Sequence, residues 1–318
     1  NEPNIASKEQ LVRQYDHEVG GISIVKPFTG RDSDAPSDSA VLKPVFDSNR
    51  GITVTHGICP RYGDRDTYNM ALCAVDEAYR AHIASGGNPD HAAILDNFCW
   101  PDPVESEAAP DGAYKLAQLV RACKGLYKAS MDYELPLISG KDSMKNDAVI
   151  GGKKVSVRPT LLISLIGIMD NIEKTVTTDF KEEGDAVYII GNTHGELGGT
   201  YFEKLYGKNL GGAPVADTEK AARLYKKLHE AISNRLVKSC HDISDGGLAV
   251  AIAESCLGGR LGADISLDIL PGTTDKMETG RILFCETPSR FIAGIGRNET
   301  DRFESIMKDF PVQRIGTT

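Results

Sequence analysis

Two short runs concentrate the residue types that bind phosphate, metal and substrate. The first is Gly140-Lys141-Asp142-Ser143, inside the segment Ile138 to Asp147. A glycine lets the backbone turn tightly or come close to a ligand. Lys141 has the reach and charge for a phosphate, Asp142 suits a metal ion, and Ser143 can donate a hydrogen bond. The run follows the apolar Leu135-Pro136-Leu137, so it reads as a polar loop leaving a buried strand, a frequent site location in α/β proteins. It is not a Walker loop, which needs a glycine where Leu135 stands. By residue type alone it equally suits an ordinary charged turn. The second run is His241-Asp242-Ile243-Ser244-Asp245-Gly246-Gly247. It lies between a strand-like and a helix-like segment, where a helix start offers free N–H groups to an anion. Asp242 or Asp245 can ligate Mg²⁺ through oxygen; the plainer alternative is that Ser244 or Asp245 caps the helix.

Other candidates are weaker. Gly191 to Tyr201 contains four glycines and Glu196, and either wraps a phosphoryl group or turns into a helix. His56, His82 and His91 lack ligand spacing and read as structural or exposed. Cys99, between Phe98 and Trp100, reads as packed rather than nucleophilic.

The elements that must position these runs follow from periodicity. Ser7 and Gln10 make a capping-box start for a helix carrying Leu11, Tyr15 and Val19 on one face, stopped by Gly20-Gly21. Strands are expected at 22–25, 40–45, 51–55 and 92–95, with a mobile polar loop over 29–39. A long helix over about 66–85 buries Met70, Leu72, Cys73, Val75, Tyr79 and Ile83. A second over 111–133 carries Leu116, Leu119, Val120, Cys123 and Tyr127 on its stripe. A solvated hairpin at 146–154 and an apolar strand at 155–168 follow. The charged segment 170–184 marks a domain boundary, giving domains 1–170 and 171–318. The second half predicts strands at 186–190, 236–240, 263–267, 282–285, 291–295 and 312–315, and helices at 218–234, 247–256 and 299–310. Strands alternating with helices indicate layered α/β architecture.

Composition narrows the function classes. The chain has 318 residues, 41% hydrophobic and 25% charged, a length that suits two ordinary domains in a soluble protein. A net charge of −9 argues against a broad nucleic-acid footprint. Seven scattered cysteines, with no C-x-x-C, indicate neither zinc site nor disulfide framework and fit a reducing cytoplasm. No apolar run reaches membrane-spanning length. Asn1 to Asn4 resembles no signal peptide, and the missing initiating methionine is expected of a piece of a longer protein.

Several tracts, in order, resemble one family. They are Gln14 to Gly20, Asp96-Asn97-Phe98-Cys99-Trp100-Pro101-Asp102-Pro103, Gly140 to Met144, Pro159 to Ser164, Glu196-Leu197-Gly198-Gly199 and His241 to Leu248. Together they are similar to the second half of phosphoribosylformylglycinamidine synthase, of the aminoimidazole ribonucleotide synthetase superfamily. The resemblance implies a fold of mixed α/β (α+β) class, an N-terminal strand-pairing domain plus a C-terminal layered α/β domain. It implies an ATP-dependent C–N ligase of purine synthesis: ATP phosphorylates the amide oxygen of formylglycinamide ribonucleotide, and ammonia displaces phosphate to give the amidine. ATP and Mg²⁺ are the implied cofactors. Implied partners are the missing first half, a glutaminase domain or subunit, and a second copy of this chain when isolated; no nucleic acid or membrane is implied.

The resemblance places nucleotide or substrate contacts on Gly140, Lys141, Asp142, Ser143 and Ser244, and metal contacts on Asp242 and Glu77. Two departures stand out. Where long-chain relatives pair the glutamate at Glu77 with an asparagine one turn on, this sequence has Ala81, so Glu77 also reads as a lone surface glutamate. Where short-chain relatives ligate metal through an asparagine, Lys141 stands, which shifts that role toward Asp142. The family's catalytic histidine run has no counterpart, Thr55-His56-Gly57-Ile58 included, so this half carries no expected catalytic residue. Aminoimidazole ribonucleotide synthetase itself, which the tract Asp96 to Pro103 argues against, and a non-catalytic structural half are the alternatives.

Overall fold

The computed structural model of the chain describes residues 5–14, 18–274 and 276–318. Tyr15, Asp16 and His17 of the leading motif lie outside the described residues. Ahead of the first sheet, α1 is a single turn, Glu9–Val12. Leu11 and Val19 stay exposed, so the longer helix expected there has no apolar surface to pack on.

The first layer comprises β1 (Ser23–Val25), β2 (Phe28–Thr29), β3 (Ala35–Pro36), β4 (Ala40–Leu42), β5 (Gly51–Ile58), α2 (Thr67–Ala84), β6 (Ala92–Cys99), α3 (Gly112–Asp132), β7 (Leu137–Ser143), β8 (Asp147–Ile150), β9 (Lys153–Ser156) and β10 (Thr160–Met169). Six strands form one sheet in the order β1-β4-β5-β10-β6-β7. Helices α2 and α3 cover one face. Along β5 every second residue is buried, beginning at Gly51, as a half-covered strand requires. Gly57 lies so close to α2 that a Cβ there would sit 2.0 Å from the Ala74 carbonyl oxygen. Val54, Ile58 and Ile166 remain exposed on the opposite face.

Three expectations change here. Residues 29–39 are not a free loop: β2 and β3 pair, and the Arg31 N–H donates to the Gly258 carbonyl at 2.8 Å, so the ribbon rests on the second half. Ile138 to Ser143 does not leave the strand as a loop, because β7 itself carries Gly140-Lys141-Asp142-Ser143 and pairs in parallel with β6 at the sheet edge. The stripe on α3 is inverted. Ala122, Leu126 and Ala129 are buried, while Leu116, Val120 and Tyr127 face out. Small residues win because α2 runs close: a Cβ on Gly125 would stand 2.4 Å from the Tyr68 carbonyl oxygen.

The second layer comprises β11 (Ala186–Ile190), α4 (Tyr201–Tyr206), α5 (Thr218–Ser233), β12 (Val237–Asp242), α6 (Gly247–Gly259), β13 (Asp264–Ile265), α7 (Thr279–Phe284), β14 (Phe291–Ile295), α8 (Thr300–Met307) and β15 (Val312–Thr317). Its sheet runs β12-β14-β11-β15-β13 and is antiparallel throughout. Every residue of β11 and β14 is buried, as expected of strands covered on both faces. Residues 282–285, read as a strand, belong to the end of α7 and its cap; a short apolar run does not distinguish the two. The first sheet ends at Met169 and the second begins at Ala186, and one apolar core joins Tyr79 and Tyr133 to Tyr225 and Phe291 across them. No helix among the described residues is long and apolar enough to cross a membrane.

Candidate functional site

Helix α2 is buried almost all round, yet it carries Asp76, Glu77 and Arg80. A spacing of four puts Asp76 and Arg80 on one face, and they form an ion pair with both side chains almost wholly buried. Asp76 is then saturated. Its Oδ1 accepts the Tyr133 and Tyr225 hydroxyls, each at 2.6 Å, and the Ser289 hydroxyl at 2.7 Å; its Oδ2 accepts the Ser289 N–H at 3.0 Å. Across the cleft, the Arg80 Nε donates to Asp242 Oδ2 at 2.9 Å. Asp242 ends β12, beside His241.

His241 sits between two carboxylates: its Nδ1 is 2.7 Å from Asp38 Oδ1, and its Nε2 is 2.9 Å from Glu254 Oε2. Burial lowers the imidazole's proton affinity, but the charge and hydrogen bonds of Asp38 and Glu254 outweigh it and hold His241 well above its ordinary range. The Asp242 N–H donates to Asp38 Oδ2 at 3.0 Å. Asp38, His241 and Asp242 thus bring ligand-type atoms within 4.8 Å of one another.

After β12 the chain turns through Gly246 and Gly247, both at positive φ, into α6. A Cβ on Gly247 would lie 2.4 Å from the Cys285 carbonyl oxygen, so only glycine fits that approach. The Gly246 N–H donates to Glu286 at 2.9 Å, and the Tyr62 hydroxyl donates to the same carboxylate at 2.8 Å. Tyr62, Glu77, Arg80, Ser244, Asp245 and Glu286 enclose a cavity of about 10 Å³, the lower limit for a single water. Burial, with neighbouring carboxylate charge, pushes Glu77 up to about 8, Glu286 to about 7 and Asp245 to about 6.

The tertiary structure therefore brings Glu77, Asp242 and Ser244 to one cleft. Glu77 is not a surface residue: its Oε2 accepts the Ile58 N–H at 2.8 Å and the Cys59 thiol at 3.4 Å. Gly140, Lys141, Asp142 and Ser143 lie elsewhere, on the edge strand β7, and none lines this cavity. Gly140 faces the Asp96 carboxylate, which a Cβ would meet at 2.4 Å. Lys141 and Asp142 are exposed; Ser143 contacts Asn146 at 3.2 Å. The Gly191 to Tyr201 tract borders a separate pocket of about 430 Å³, with Leu224 and Phe310 in its wall and Lys220 and Arg223 beside it. Sequence reading missed Asp38, Tyr62, Asp76, Arg80 and Glu286. Asp76 and Arg80 alone left a signal, an oppositely charged pair one turn apart on a helix otherwise rich in small and apolar residues.

Comparison with known proteins bears on the family and the fold. Residues 182–318 match the family described as "AIR synthase related protein, C-terminal domain". Over 99% of its length the chain is 33% identical to phosphoribosylformylglycinamidine synthase subunit PurL of Alkaliphilus metalliredigens, covering 39% of that protein. The second half of the chain is thus similar to the AIR synthase-related proteins. PurL of Picrophilus torridus is 33% identical over 90% of the chain, which covers 37% of that relative. The structure described as T. maritima PurL complexed with FGAR superposes with a TM-score of 0.67 at 17% identity, over 92% of this chain and 45% of that one; it carries the same fold. The chain thus spans about two fifths of the length of the curated relatives it matches.

Proposed function

We propose that this chain is the second part of an ATP-dependent synthetase that converts formylglycinamide ribonucleotide to the amidine in purine biosynthesis, in the cytoplasm. The observation that carries the reading is the 33% identity to PurL along nearly the whole chain. In this reaction ATP phosphorylates the amide oxygen and ammonia, delivered by a glutaminase domain or subunit, displaces phosphate. This half supplies binding groups and no catalytic histidine. Gly140, Lys141, Asp142 and Ser143 present an exposed, largely unpaired edge to nucleotide or substrate, and Ser244 presents a hydroxyl beside the α6 start. Positive charge and oriented donors around a transferring phosphoryl group are what such chemistry requires. The open face of the first sheet, with Val54, Ile58 and Ile166, would receive the remaining part of the protein, which in the relatives exceeds this chain in length.

Mg²⁺ bound with ATP would neutralise phosphate charge. Asp242 and Glu77 do not fit it as a pair: Arg80 already holds Asp242, Glu77 is turned to the Ile58 N–H, and the cavity has about 10 Å³. Asp142, exposed and with no side-chain hydrogen bond or ion pair among the described residues, would be free to take the ion. The same filled cavity favours a second reading, that this half is a structural scaffold.

One assay separates the two. The chain should form no amidine from ATP, ammonia and formylglycinamide ribonucleotide, and should do so once the missing part is co-expressed. A reconstituted complex indifferent to Lys141→Ala and Asp142→Ala would leave the scaffold reading. Turnover by the chain alone, abolished by His56→Ala, would overturn both.

A further inference from the structure

We infer that Arg80 is the resident cation of the cleft between α2 and β12, occupying by covalent attachment the position a divalent ion would take, so that this half joins its two layers without metal. The inference is independent of which reaction the whole protein performs.

The cleft has the donors of a hard-cation site: Glu77 from α2, Asp242 and His241 from the end of β12, Asp38 from the ribbon, and Asp245 from the following turn. Carboxylate oxygens in that number suit Mg²⁺ or Mn²⁺. Glu77, Asp242, His241 and Asp38 are nevertheless each engaged within the chain. The guanidinium of Arg80 lies between Asp76 and Asp242, only 4% of its side chain exposed, with Nε 2.9 Å from Asp242. Glu77 accepts the Ile58 N–H at 2.8 Å. Asp38 takes His241 at 2.7 Å and the Asp242 N–H at 3.0 Å. Guanidinium carries a fixed charge and five donors in a planar fork, so it satisfies two carboxylates in different directions, as an ion would, without needing water ligands. Mg²⁺ keeps several waters, and the space of about 10 Å³ beside Arg80 has room for one at most.

Ala81 fits this arrangement. It is 4% exposed and brings no oxygen to the cleft, and with Asp76 taken up by Arg80, two tyrosines and Ser289, Glu77 is the carboxylate this helix has left to offer there. A cation carried on α2 also needs no free metal to stay bound, and makes the contact between layers part of folding.

The test is a Mn²⁺ titration of the 318-residue chain, followed by electron paramagnetic resonance, which counts bound ions. Wild type and Asp242→Asn should bind the same number of ions. Arg80→Ala should gain one, lost again in Arg80→Ala with Asp242→Asn. Arg80→Lys, which keeps a cation, should gain none. Should Arg80→Ala be unfolded without metal, Mn²⁺ must restore its far-ultraviolet circular dichroism. The inference is overturned if Asp242→Asn removes an ion from wild type. It is equally overturned if Arg80→Lys gains a site, or if Arg80→Ala neither binds an additional ion nor refolds with one.

Discussion

Arg80 on α2 and Asp242 at the end of β12 meet at 2.9 Å across the junction of the two layers. They are 162 positions apart in sequence, and each is buried among further charges. A buried pair is weak support for stability as a whole, because desolvation offsets the attraction, but removing one partner strands the other.

Arg80→Ala and Asp242→Asn should therefore destabilise the chain, Arg80→Ala by about 3–5 kcal/mol, because it leaves both Asp76 and Asp242 without their cation. Urea unfolding followed by circular dichroism measures this. A loss below about 1 kcal/mol for Arg80→Ala, the range of an exposed pair, would mean that water reaches the cleft.

Glu286 should give the stability a pH dependence of definite sign. Burial, then the charge of Asp245, raises its folded pKa from 4.5 to about 7. The folded state thus binds a proton more tightly than the unfolded state. This contribution is fully present below about pH 4.5 and is lost as pH rises to about 7. Glu286→Gln should remove that slope, a difference on the order of 3 kcal/mol at most, while its amide oxygen still accepts the Gly246 N–H and its NH₂ group donates to the Tyr62 hydroxyl oxygen. Parallel wild-type and variant curves between pH 5 and 8 would count against it.

Lys141→Ala and Asp142→Ala should lower amidine synthesis in the assembled enzyme by tenfold or more without changing the melting temperature, since both side chains are exposed on an edge strand. Ser143→Ala should act more weakly, mainly on KM, as one neutral hydrogen bond is worth about 0.5–1.5 kcal/mol. Wild-type turnover in folded Lys141→Ala and Asp142→Ala would remove β7 from the site.

The isolated chain should dimerise through the open face of its first sheet. Val54, Ile58 and Ile166 are exposed there, and apolar sheet faces and free edges seek partners. Light scattering should give twice the chain mass, and Val54→Asp with Ile166→Asp should return it to a monomer. A monomer at every accessible concentration contradicts the expectation.

The sequence by itself determined the mixed α/β class, the two long helices and most strands, because those depend on local periodicity. It also identified the runs around Gly140 and Asp242, whose residue types are dense enough to read without a partner. It did not determine that Gly140 to Ser143 lie within a strand: that follows from pairing with β6, a contact far away in the chain. Nor did it choose the face of α3, where larger apolar residues gave the stronger signal and close approach to α2 selected Ala122, Gly125 and Ala129 instead. The filling of the cleft was decided by tertiary structure alone. Asp76 and Arg80 are legible as a pair on one helix, but Asp38, Asp242 and Glu286 come from three other segments. Only folding sets their distances, and with them whether a carboxylate binds an ion from solution or the arginine already beside it.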